Sequence, residues 1–541
     1  MITRSLFRNA ALQQSTYRRP LFNSLHNRKS FAFNKRNIMT VREDYDRLKV
    51  LLEDISALKG IQSLLEWDQL VMMAPKSSAS RAKHNEAIVG VIHDKSVDKE
   101  VGELLNRLTP EVVGELTEWE RAHVRDARRE HNKKTKVPKE LEQKKAKLSV
   151  EAYDAWASAK ANKNFKEFAP YIQQWVDLVK EETALTDPGK DVYDALLDVY
   201  ERGLDSKTVD RVFGQLKEEL PPLIAAIKSK PKPNDKFMQG KTFDVTAQAA
   251  FNHQLAKDLG FDTEAGRLDV SLHPFSTSFH PTDVRMTTRY KDDQLIEGIT
   301  GTIHETGHSL YEAGRPISEA YLPASAAVGM GVHESQSLLW ERMVGLSEPF
   351  WKLYWPKLVK AFPQIDSSVP ADDFYRLINE VRAGFIRVES DEVTYPMHII
   401  VRYEIERDLL AGRIQVDELP KIWNEKMKQY LGIEPGNDAE GVLQDVHWSS
   451  GSFGYFPTYT LGAIYACQYF HKALEEIPDL EAKMEKGEFS VLREWLREKI
   501  HKKGSLIPSG EELARQVTGS GLDATKFIAY LKKKYTKLYD L

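Results

Sequence analysis

The sequence predicts a mainly α-helical fold with one small β-sheet, and three observations carry this prediction. From residue 43 onward, apolar residues recur every three or four positions, which is the spacing of amphipathic helices. Only residues 267–290 break this spacing, with Ser, Thr, Val and Phe gathered around two prolines. No internal repeat or low-complexity tract interrupts residues 43–541, so we expect them to form one large domain.

The predicted elements follow in chain order. The first helix is predicted in YDRLKVLLEDISALKGIQSLL, which begins at Tyr45. Further helical patterns occupy residues 115–186, 206–228, 244–259, 397–430, 458–476 and 523–538. SKPKPND, at 229–235, predicts a surface turn between helices. Residues 267–290 predict one or two short strands, whose edge could align an extended peptide by backbone hydrogen bonds. They come directly before the helix predicted around the paired histidines at 304 and 308, so the small sheet is expected next to that helix.

The composition limits the kinds of partner. The 541 residues are 41% hydrophobic and 29% charged, with a net charge of -4, which argues against binding nucleic acid by bulk electrostatics. No run of eighteen apolar residues occurs, so the sequence predicts no membrane-spanning helix. Cys467 is the single cysteine, which excludes an intrachain disulfide. We therefore predict neither a nucleic-acid nor a membrane partner.

Residues 1–40 differ from the rest of the chain. They contain eight Lys and Arg residues and no Asp or Glu, and the first acidic residue is Glu43. An Arg-rich, Ser-rich and acid-free start is typical of a mitochondrial transit peptide, whereas the simpler interpretation is a disordered basic tail. Met39 offers a second start, from which a cytoplasmic form could be made.

GTIHETGHSLYEAG, residues 301–314, carries the first chemical signal. His304 and His308 are four residues apart, so one face of a helix would present both to one ion. Glu305 would lie beside them, where it could reach a metal-bound water rather than the metal. This is the arrangement of a zinc peptidase, which also needs a third protein ligand.

The third ligand is predicted in GVHESQSLLWERM. Glu334 lies 26 residues after His308 and near the start of a well-patterned helix. Its competitors are Glu319, in a loop bounded by prolines, and its neighbour His333. A carboxylate at the beginning of a helix is also favoured by the helix dipole alone. Together with the two histidines, however, Glu334 gives the two-His, one-Glu ligand set of zinc peptidases.

Six motifs together resemble the M32 family of metallocarboxypeptidases, the thermostable-carboxypeptidase-like group. In order they are HPF at 273–275, DVRMTT at 283–288, HETGH at 304–308, HESQ at 333–336, IRVESD at 386–391 and GVLQDVHW at 441–448. Two departures are visible: Ser390 replaces the usual Ala of the fifth motif, and ERG at 201–203 replaces a common EPG. The resemblance extends over roughly residues 43–541.

The resemblance implies a saddle-like, nearly all-helical fold with a deep groove, and usually a homodimer. It implies release of single residues from peptides with a free C-terminus, with broad tolerance of side chains. It also implies one divalent ion per chain, zinc most of all, with cobalt as the other candidate.

These expectations assign roles to individual residues. His304, His308 and Glu334 would hold the ion, and Glu305 would act as general base and then general acid. His447 and Tyr455 would donate hydrogen bonds to the oxyanion, although Tyr455 could equally be a packing residue in an aromatic loop.

Recognition of the substrate requires a further group. Arg387 is the first candidate for binding the free α-carboxylate, and Arg285 is the second. Each could instead form an internal salt bridge, for example Arg387 with Glu389 or Asp391. His273 could be a further substrate contact. The remaining candidates would orient the ligand imidazoles, and they are Asp391, Asp445 and Gln336.

Two alternatives stay open at this point. An oligopeptidase that cuts internally, or a dipeptidyl carboxypeptidase, could share the metal site, but an internal cutter would not require Arg387. A catalytically silent peptide-binding protein could share the scaffold. The intact set of metal ligands argues against the silent protein, because such a protein would be free to lose Glu305.

Overall fold

The computed structural model describes residues 40–541, and residues 1–39, which contain nearly all of the predicted transit segment, lie outside this description. Residues Val41–Leu541 form one compact unit. Its helices before the sheet are α1 (Val41–Val71), α2 (Ser78–Ser96), α3 (Lys99–Arg107), α4 (Glu118–Lys136), α5 (Lys139–Asn162), α6 (Ala169–Thr186), α7 (Val192–Tyr200), α8 (Ser206–Lys228) and α9 (Val245–Leu259).

The sheet and a second series of helices follow. The strands are β1 (Gly266–Val270), β2 (Ser276–His280) and β3 (Asp283–Thr288). The helices after the sheet are α10 (Leu295–Gly314), α11 (Met330–Leu338), α12 (Glu348–Ala361), α13 (Ala371–Ile378), α14 (Tyr395–Leu410), α15 (Leu419–Leu431), α16 (Pro457–Glu476), α17 (Leu480–Glu485), α18 (Ser490–Lys499), α19 (Gly510–Thr518) and α20 (Ala524–Tyr539). A π-helical stretch, Leu339–Gly345, continues α11.

The predicted mainly α fold with a small sheet is confirmed, and α8 shows why the pattern succeeds. The Asp205 carboxylate accepts a hydrogen bond from the Thr208 backbone N–H at 2.8 Å, which caps the first turn. Apolar residues then bury one side of the helix, from Val209 to Ile227. The helix ends at Lys228, directly before the predicted turn.

The prediction of one or two strands is wrong in number, because three form. β3 is central: β1 pairs with it in parallel and β2 pairs with it antiparallel. Leu268 lies opposite Met286, and Thr277 lies opposite Arg285. A parallel pair joins strands that are not adjacent in sequence, so a local alternation pattern does not identify it.

Helix α10 lies against β3, as the sequence predicted for the helix with the paired histidines. The Thr302 hydroxyl donates to the Thr288 hydroxyl at 3.3 Å, and Thr306 contacts the Met286 sulfur at 3.7 Å. On another side α10 meets α11 so closely that a Cβ on Gly307 would lie 2.5 Å from the Gln336 carbonyl oxygen. Gly307 is therefore required by helix packing, although glycine disfavours a helix interior.

The apolar core has two main parts. The larger runs from α5 to α20 and includes the fully buried Trp340, Trp351 and Trp423. The smaller joins α1, α3 and α4 around Tyr45 and Leu104. Within residues 40–541, no helix combines the length and the apolar character needed to cross a bilayer.

Candidate metal centre and active site

The predicted histidine pair faces a common point from α10. The His304 and His308 rings have their centroids 4.9 Å apart and are inclined by 82° to each other. Successive turns of one helix produce this arrangement because positions i and i+4 share a face.

Glu334, from α11, completes a group of three side chains that could hold a metal ion. Its Oε1 lies 3.8 Å from His304 Nε2, and its Oε2 lies 3.7 Å from His308 Nε2. One donor atom from each residue fits within 4.8 Å of the other two. Two donors bound to one tetrahedral ion at about 2.1 Å stand roughly 3.4 Å apart, so nitrogen and oxygen atoms at these distances suit a divalent cation.

His304 is oriented by a carboxylate that the sequence analysis missed. Its Nδ1 hydrogen-bonds Glu341 Oε2 at 2.6 Å, which leaves Nε2 directed toward Glu334. Burial alone would lower the pKa of His304, but the hydrogen bond to Glu341 and the charge of Glu334 raise it to about 9. Glu341 follows Glu334 by seven residues, or two helical turns, so the sequence places both carboxylates on the same face of a helix. That spacing could have identified Glu341.

His308 is oriented by a second imidazole. His308 Nδ1 and His333 Nδ1 lie 2.7 Å apart, and His333 Nε2 lies 3.0 Å from Glu312 Oε1. With a metal on His308 Nε2, its Nδ1–H donates to His333, whose Nε2–H donates to Glu312. Arg315 pairs with Glu312 at 2.7 Å. Burial would raise the pKa of Glu312, yet Arg315 and His333 lower it to about 2.

The competing candidates for the third ligand have other partners. His333 supports His308, as described above. Glu319 Oε2 lies 2.9 Å from the buried His123 Nε2. Within residues 40–541, the single metal-compatible cluster of this kind is His304, His308 and Glu334.

Glu305 lies beside the two histidines on α10 and is held by β2. The Ser276 hydroxyl is 2.6 Å from Glu305 Oε2 and 3.1 Å from the Glu305 carbonyl oxygen. Burial raises the pKa of Glu305, against the opposing influence of His304 and Ser276. A carboxylate with a raised pKa, fixed near a metal-bound water, is suited to proton transfer.

Arg387 is buried and pairs with Asp445, a residue that was expected to orient a ligand imidazole. Its Nε and Nη2 donate to Asp445 Oδ1 at 3.0 and 2.8 Å, and its Nη1 donates to the Tyr395 hydroxyl at 2.6 Å. Arg402 donates to the other Asp445 oxygen at 2.6 Å. Burial opposes ionisation of Asp445, but the two guanidinium groups hold its pKa far below the usual range.

Two arginines around one carboxylate leave an excess of positive charge. Burial raises the pKa of the Tyr395 hydroxyl, and Tyr395 also lies near enough to Arg387 and Glu334 that the charge of Arg387 lowers this pKa while the charge of Glu334 raises it. The anticipated partners of Arg387, Glu389 and Asp391, are not the ones it contacts.

The expectation that Asp391, Asp445 and Gln336 orient the ligand imidazoles is wrong. Asp445 binds the two arginines, as described above. Asp391 accepts hydrogen bonds from the Thr394 backbone and hydroxyl at 3.0 and 2.7 Å. Gln336 Oε1 lies 3.0 Å from His501 Nε2. Asp445 and Gln336 thus meet groups from distant segments and Asp391 binds its own turn, whereas the imidazole partners come from α10, α11 and its π-helical continuation.

His447 and Tyr455 come together beside the arginine cluster. Their rings lie 5.5 Å apart, and His447 Nε2 is 3.3 Å from the Tyr459 hydroxyl. Burial lowers the pKa of His447 to about 4, with Asp445 opposing and Arg387 reinforcing the effect. Burial raises the pKa of Tyr455 to about 12. At neutral pH both side chains are therefore neutral hydrogen-bond donors.

Arg285 and His273 do not join this group in the structure. Arg285 donates to Asp283 at 2.9 Å and lies over the Trp67 ring at 4.3 Å, which matches the internal salt bridge considered as its alternative role. His273 is exposed, and its carbonyl oxygen accepts a hydrogen bond from Ser271 at 2.6 Å. Their proposed contacts with substrate stay predictions.

Comparisons with known proteins agree with this geometry. The family model for the carboxypeptidase Taq (M32) metallopeptidases matches residues 47–535. The chain is 38% identical to thermostable carboxypeptidase 1 of Thermus thermophilus over 512 residues, which are 93% of this chain and 100% of that protein. It is also 38% identical to carboxypeptidase 1 of Bacillus subtilis, over 90% of this chain and 97% of that protein.

Solved structures give the same result. The M32 carboxypeptidase of Deinococcus radiodurans superposes with a TM-score of 0.89 at 33% sequence identity, over 92% of this chain and 100% of that chain. Metallocarboxypeptidase 1 of Trypanosoma cruzi superposes with a TM-score of 0.87 at 34% identity, over the same shares.

Proposed function

Because the chain belongs to the M32 family of metallocarboxypeptidases, we propose that it releases single amino acids from the C-terminus of peptides, with broad tolerance of the residue removed. The observation that carries this proposal is the combination of two features. Glu305 lies beside His304, His308 and Glu334, and the positively charged Arg387 cluster is near this group, since Arg387 hydrogen-bonds Tyr395 and the charge of Glu334 also acts on Tyr395.

Zinc is the proposed ion, with cobalt as the alternative, held by His304, His308 and Glu334. When bound there, it supplies Lewis-acid activation of a water molecule. Glu305 takes a proton from that water at its carboxylate and later delivers it to the leaving amine. Ser276 holds the Glu305 carboxylate at 2.6 Å and so limits the positions from which the proton can be taken.

Arg387 is proposed to bind the terminal carboxylate. Its buried guanidinium is already oriented by Asp445 and Tyr395, so little side-chain entropy is lost when a substrate carboxylate arrives. His447 and Tyr455 are proposed as donors to the oxygen of the scissile carbonyl as it gains charge. Their neutral state at pH 7 supports this role, because each retains a proton to donate.

Assembly and location are part of the proposal. We propose that the chain acts as a homodimer and that residues 1–40 direct it to mitochondria, with a form starting at Met39 remaining in the cytoplasm. Light scattering of the purified protein tests the dimer. A fluorescent protein fused to residues 1–40 tests the targeting, and uniform cytoplasmic fluorescence would contradict it.

Product analysis tests the proposed reaction. The full chain, loaded with Zn²⁺ or Co²⁺, is incubated with a peptide blocked at its N-terminus, and mass spectrometry identifies the products. We expect successive loss of single C-terminal residues, abolished by a chelator and by Glu305→Gln. Internal cuts would support an oligopeptidase instead, and loss of residue pairs would support a dipeptidyl carboxypeptidase. No cleavage by the metal-loaded chain would support a silent peptide-binding protein.

A further inference from the structure

A buried carboxylate contacts the helix that carries the third metal ligand. Glu201 directly follows α7 and is 2% exposed. Its Oε2 accepts a hydrogen bond from the Gly331 backbone N–H at 2.9 Å. Gly331 lies in the first turn of α11, three residues before Glu334, so the bond is made about one turn from the ligand.

Helix α11 has no cap from its own sequence. Its N-cap residue is Gly329, which has no side chain to accept a hydrogen bond. The first backbone N–H groups of a helix have no partner within the helix, and here Glu201 supplies an acceptor from another element. A backbone bridge between Glu201 and Gly329 joins the same two segments.

Three glycines make room for this carboxylate. A Cβ on Gly329 or Gly331 would lie 2.4 or 2.9 Å from Glu201 Oε2, and a Cβ on Gly510 would lie 2.1 Å from Oε1. Atoms at these separations overlap, so any side chain at Gly329 or Gly510 would displace the carboxylate. The backbone of two separate segments, at the starts of α11 and α19, is thus closed around Glu201.

The opposite side of α11 is also fixed. A Cβ on Gly462, in α16, would lie 2.7 Å from the Glu334 Cβ. Contact with α16 limits sideways movement of α11, whereas the hydrogen bond at the N-terminus limits movement along the helix axis. Metal–ligand bonds tolerate errors of only about 0.2 Å, so a small shift of α11 would reach the ion through Glu334.

We propose that Glu201 is a positioning residue for the metal centre, whose carboxylate holds the first turn of α11 so that Glu334 meets a divalent cation together with His304 and His308. Glu201 Oε1 is buried without a hydrogen-bond partner among the described residues. An apolar side chain would fill this space without leaving an unsatisfied oxygen. The presence of a carboxylate is therefore explained by its other oxygen, Oε2, which accepts the hydrogen bond from the first turn of α11. The inference rests on the metal site of the proposed function and not on peptide cleavage.

Metal affinity tests this inference without reference to activity. The Zn²⁺ dissociation constant of the full chain is measured by competition with a chromogenic chelator, and the visible absorption of the Co²⁺-loaded protein reports the ligand geometry. We expect Glu201→Ala to weaken Zn²⁺ binding about 10- to 100-fold and to change the Co²⁺ spectrum. Glu201→Gln keeps an acceptor oxygen and should restore both properties.

Two further variants separate positioning from general destabilisation. Glu406 is also a buried carboxylate that accepts from a backbone N–H, that of Gly454 at 2.9 Å, and Glu406→Ala should lower the denaturation midpoint without weakening Zn²⁺ binding. Gly510→Ala displaces the Glu201 carboxylate without removing it and should weaken Zn²⁺ binding even if Glu201→Ala fails to fold.

Two results would overturn the inference. One is an unchanged Zn²⁺ affinity in folded Glu201→Ala or in Gly510→Ala. The other is a loss in Glu201→Gln as large as that in Glu201→Ala. Weaker Zn²⁺ binding in Glu201→Ala and Gly510→Ala, together with normal binding in Glu201→Gln, would support the positioning role. If the wild-type chain nevertheless cleaves no peptide, the proposed function alone fails.

Discussion

At the scale of residues, the two histidines proposed as metal ligands are oriented by different kinds of group. His304 donates to the carboxylate of Glu341, whereas His308 contacts the imidazole of His333, which in turn contacts Glu312. A charged acceptor raises the basicity of a ligating imidazole more than a neutral one does. Glu341 should therefore contribute strongly to the affinity of the site for its ion.

Substitution of Glu341 tests this contribution. Glu341→Gln keeps the shape of the side chain but removes the charge, and we expect Zn²⁺ affinity to fall about 10-fold, measured by chelator competition. Glu319→Gln is the matched control, since Glu319 pairs with His123 at 2.9 Å and with no metal ligand. Equal Zn²⁺ affinities for the two variants would refute a special role for Glu341.

The sequence predicted the three residues that could hold a metal ion but not the residues around them. His304 and His308 are related by one helical turn, so their meeting required only a helix. Asp445 could not be placed in the same way, because it meets Arg387 across 58 residues of chain. Its role depends on how two loops pack, and no local pattern carries that information.

At the scale of elements, the metal centre depends on the close approach of α10 and α11. Gly307 lies between His304 and His308, and a Cβ there would come within 2.5 Å of the Gln336 carbonyl oxygen and 2.6 Å of the Ser337 Cα. Both contacts are with backbone atoms, which cannot turn aside as a flexible side chain can. The glycine of HETGH therefore sets the distance between the helix with two ligands and the helix with the third.

A glycine-to-alanine comparison measures this effect. We expect Gly307→Ala to lower the free energy of unfolding by about 1–3 kcal/mol and to weaken metal binding, because the two helices must separate. Gly214, in α8, has no atom within 4 Å of an added Cβ, so Gly214→Ala should raise the free energy of unfolding by about 0.5–1 kcal/mol. Denaturant titration distinguishes the two, and a stabilised Gly307→Ala would contradict the packing argument.

Helices were easier to predict than the sheet because the signals for a helix are local in sequence, whereas strand pairing is not. Predicted residues 206–228 coincide with α8 because the apolar spacing, the Asp205 cap and the following turn all lie in one short segment. The pairing of β1 with β3 is parallel and non-local, so the sequence showed strand-forming residues but not their number or order.

At the scale of the whole molecule, burial of carboxylates makes stability depend on pH. Burial raises the pKa of Glu201 to about 7, against the influence of the Gly331 N–H and of Arg202. In the unfolded chain this carboxyl titrates near 4.3, so the folded state binds its proton more tightly. Stability from this source is complete below about pH 4 and is lost as the pH rises through about 7.

Glu201→Gln should remove this dependence. A shift of roughly 2.7 pKa units, from about 4.3 to about 7, corresponds to about 3–4 kcal/mol, so the free energy of unfolding of the variant, relative to wild type, should rise by about that amount between pH 4 and pH 8. Denaturant titration at several pH values provides the measurement. A constant difference between the two proteins across this range would show that Glu201 does not titrate there.

We propose that this metallopeptidase recognises the free C-terminal carboxylate of its substrate. The most direct measurement compares kcat/KM for one N-terminally blocked peptide ending in a carboxylate and the same peptide ending in an amide. Loss of a charged hydrogen bond to Arg387 costs about 1.5–3 kcal/mol, so we expect the amide to react at least about 10-fold more slowly. Equal values for the two peptides, or the same internal cuts in both, would contradict the claim.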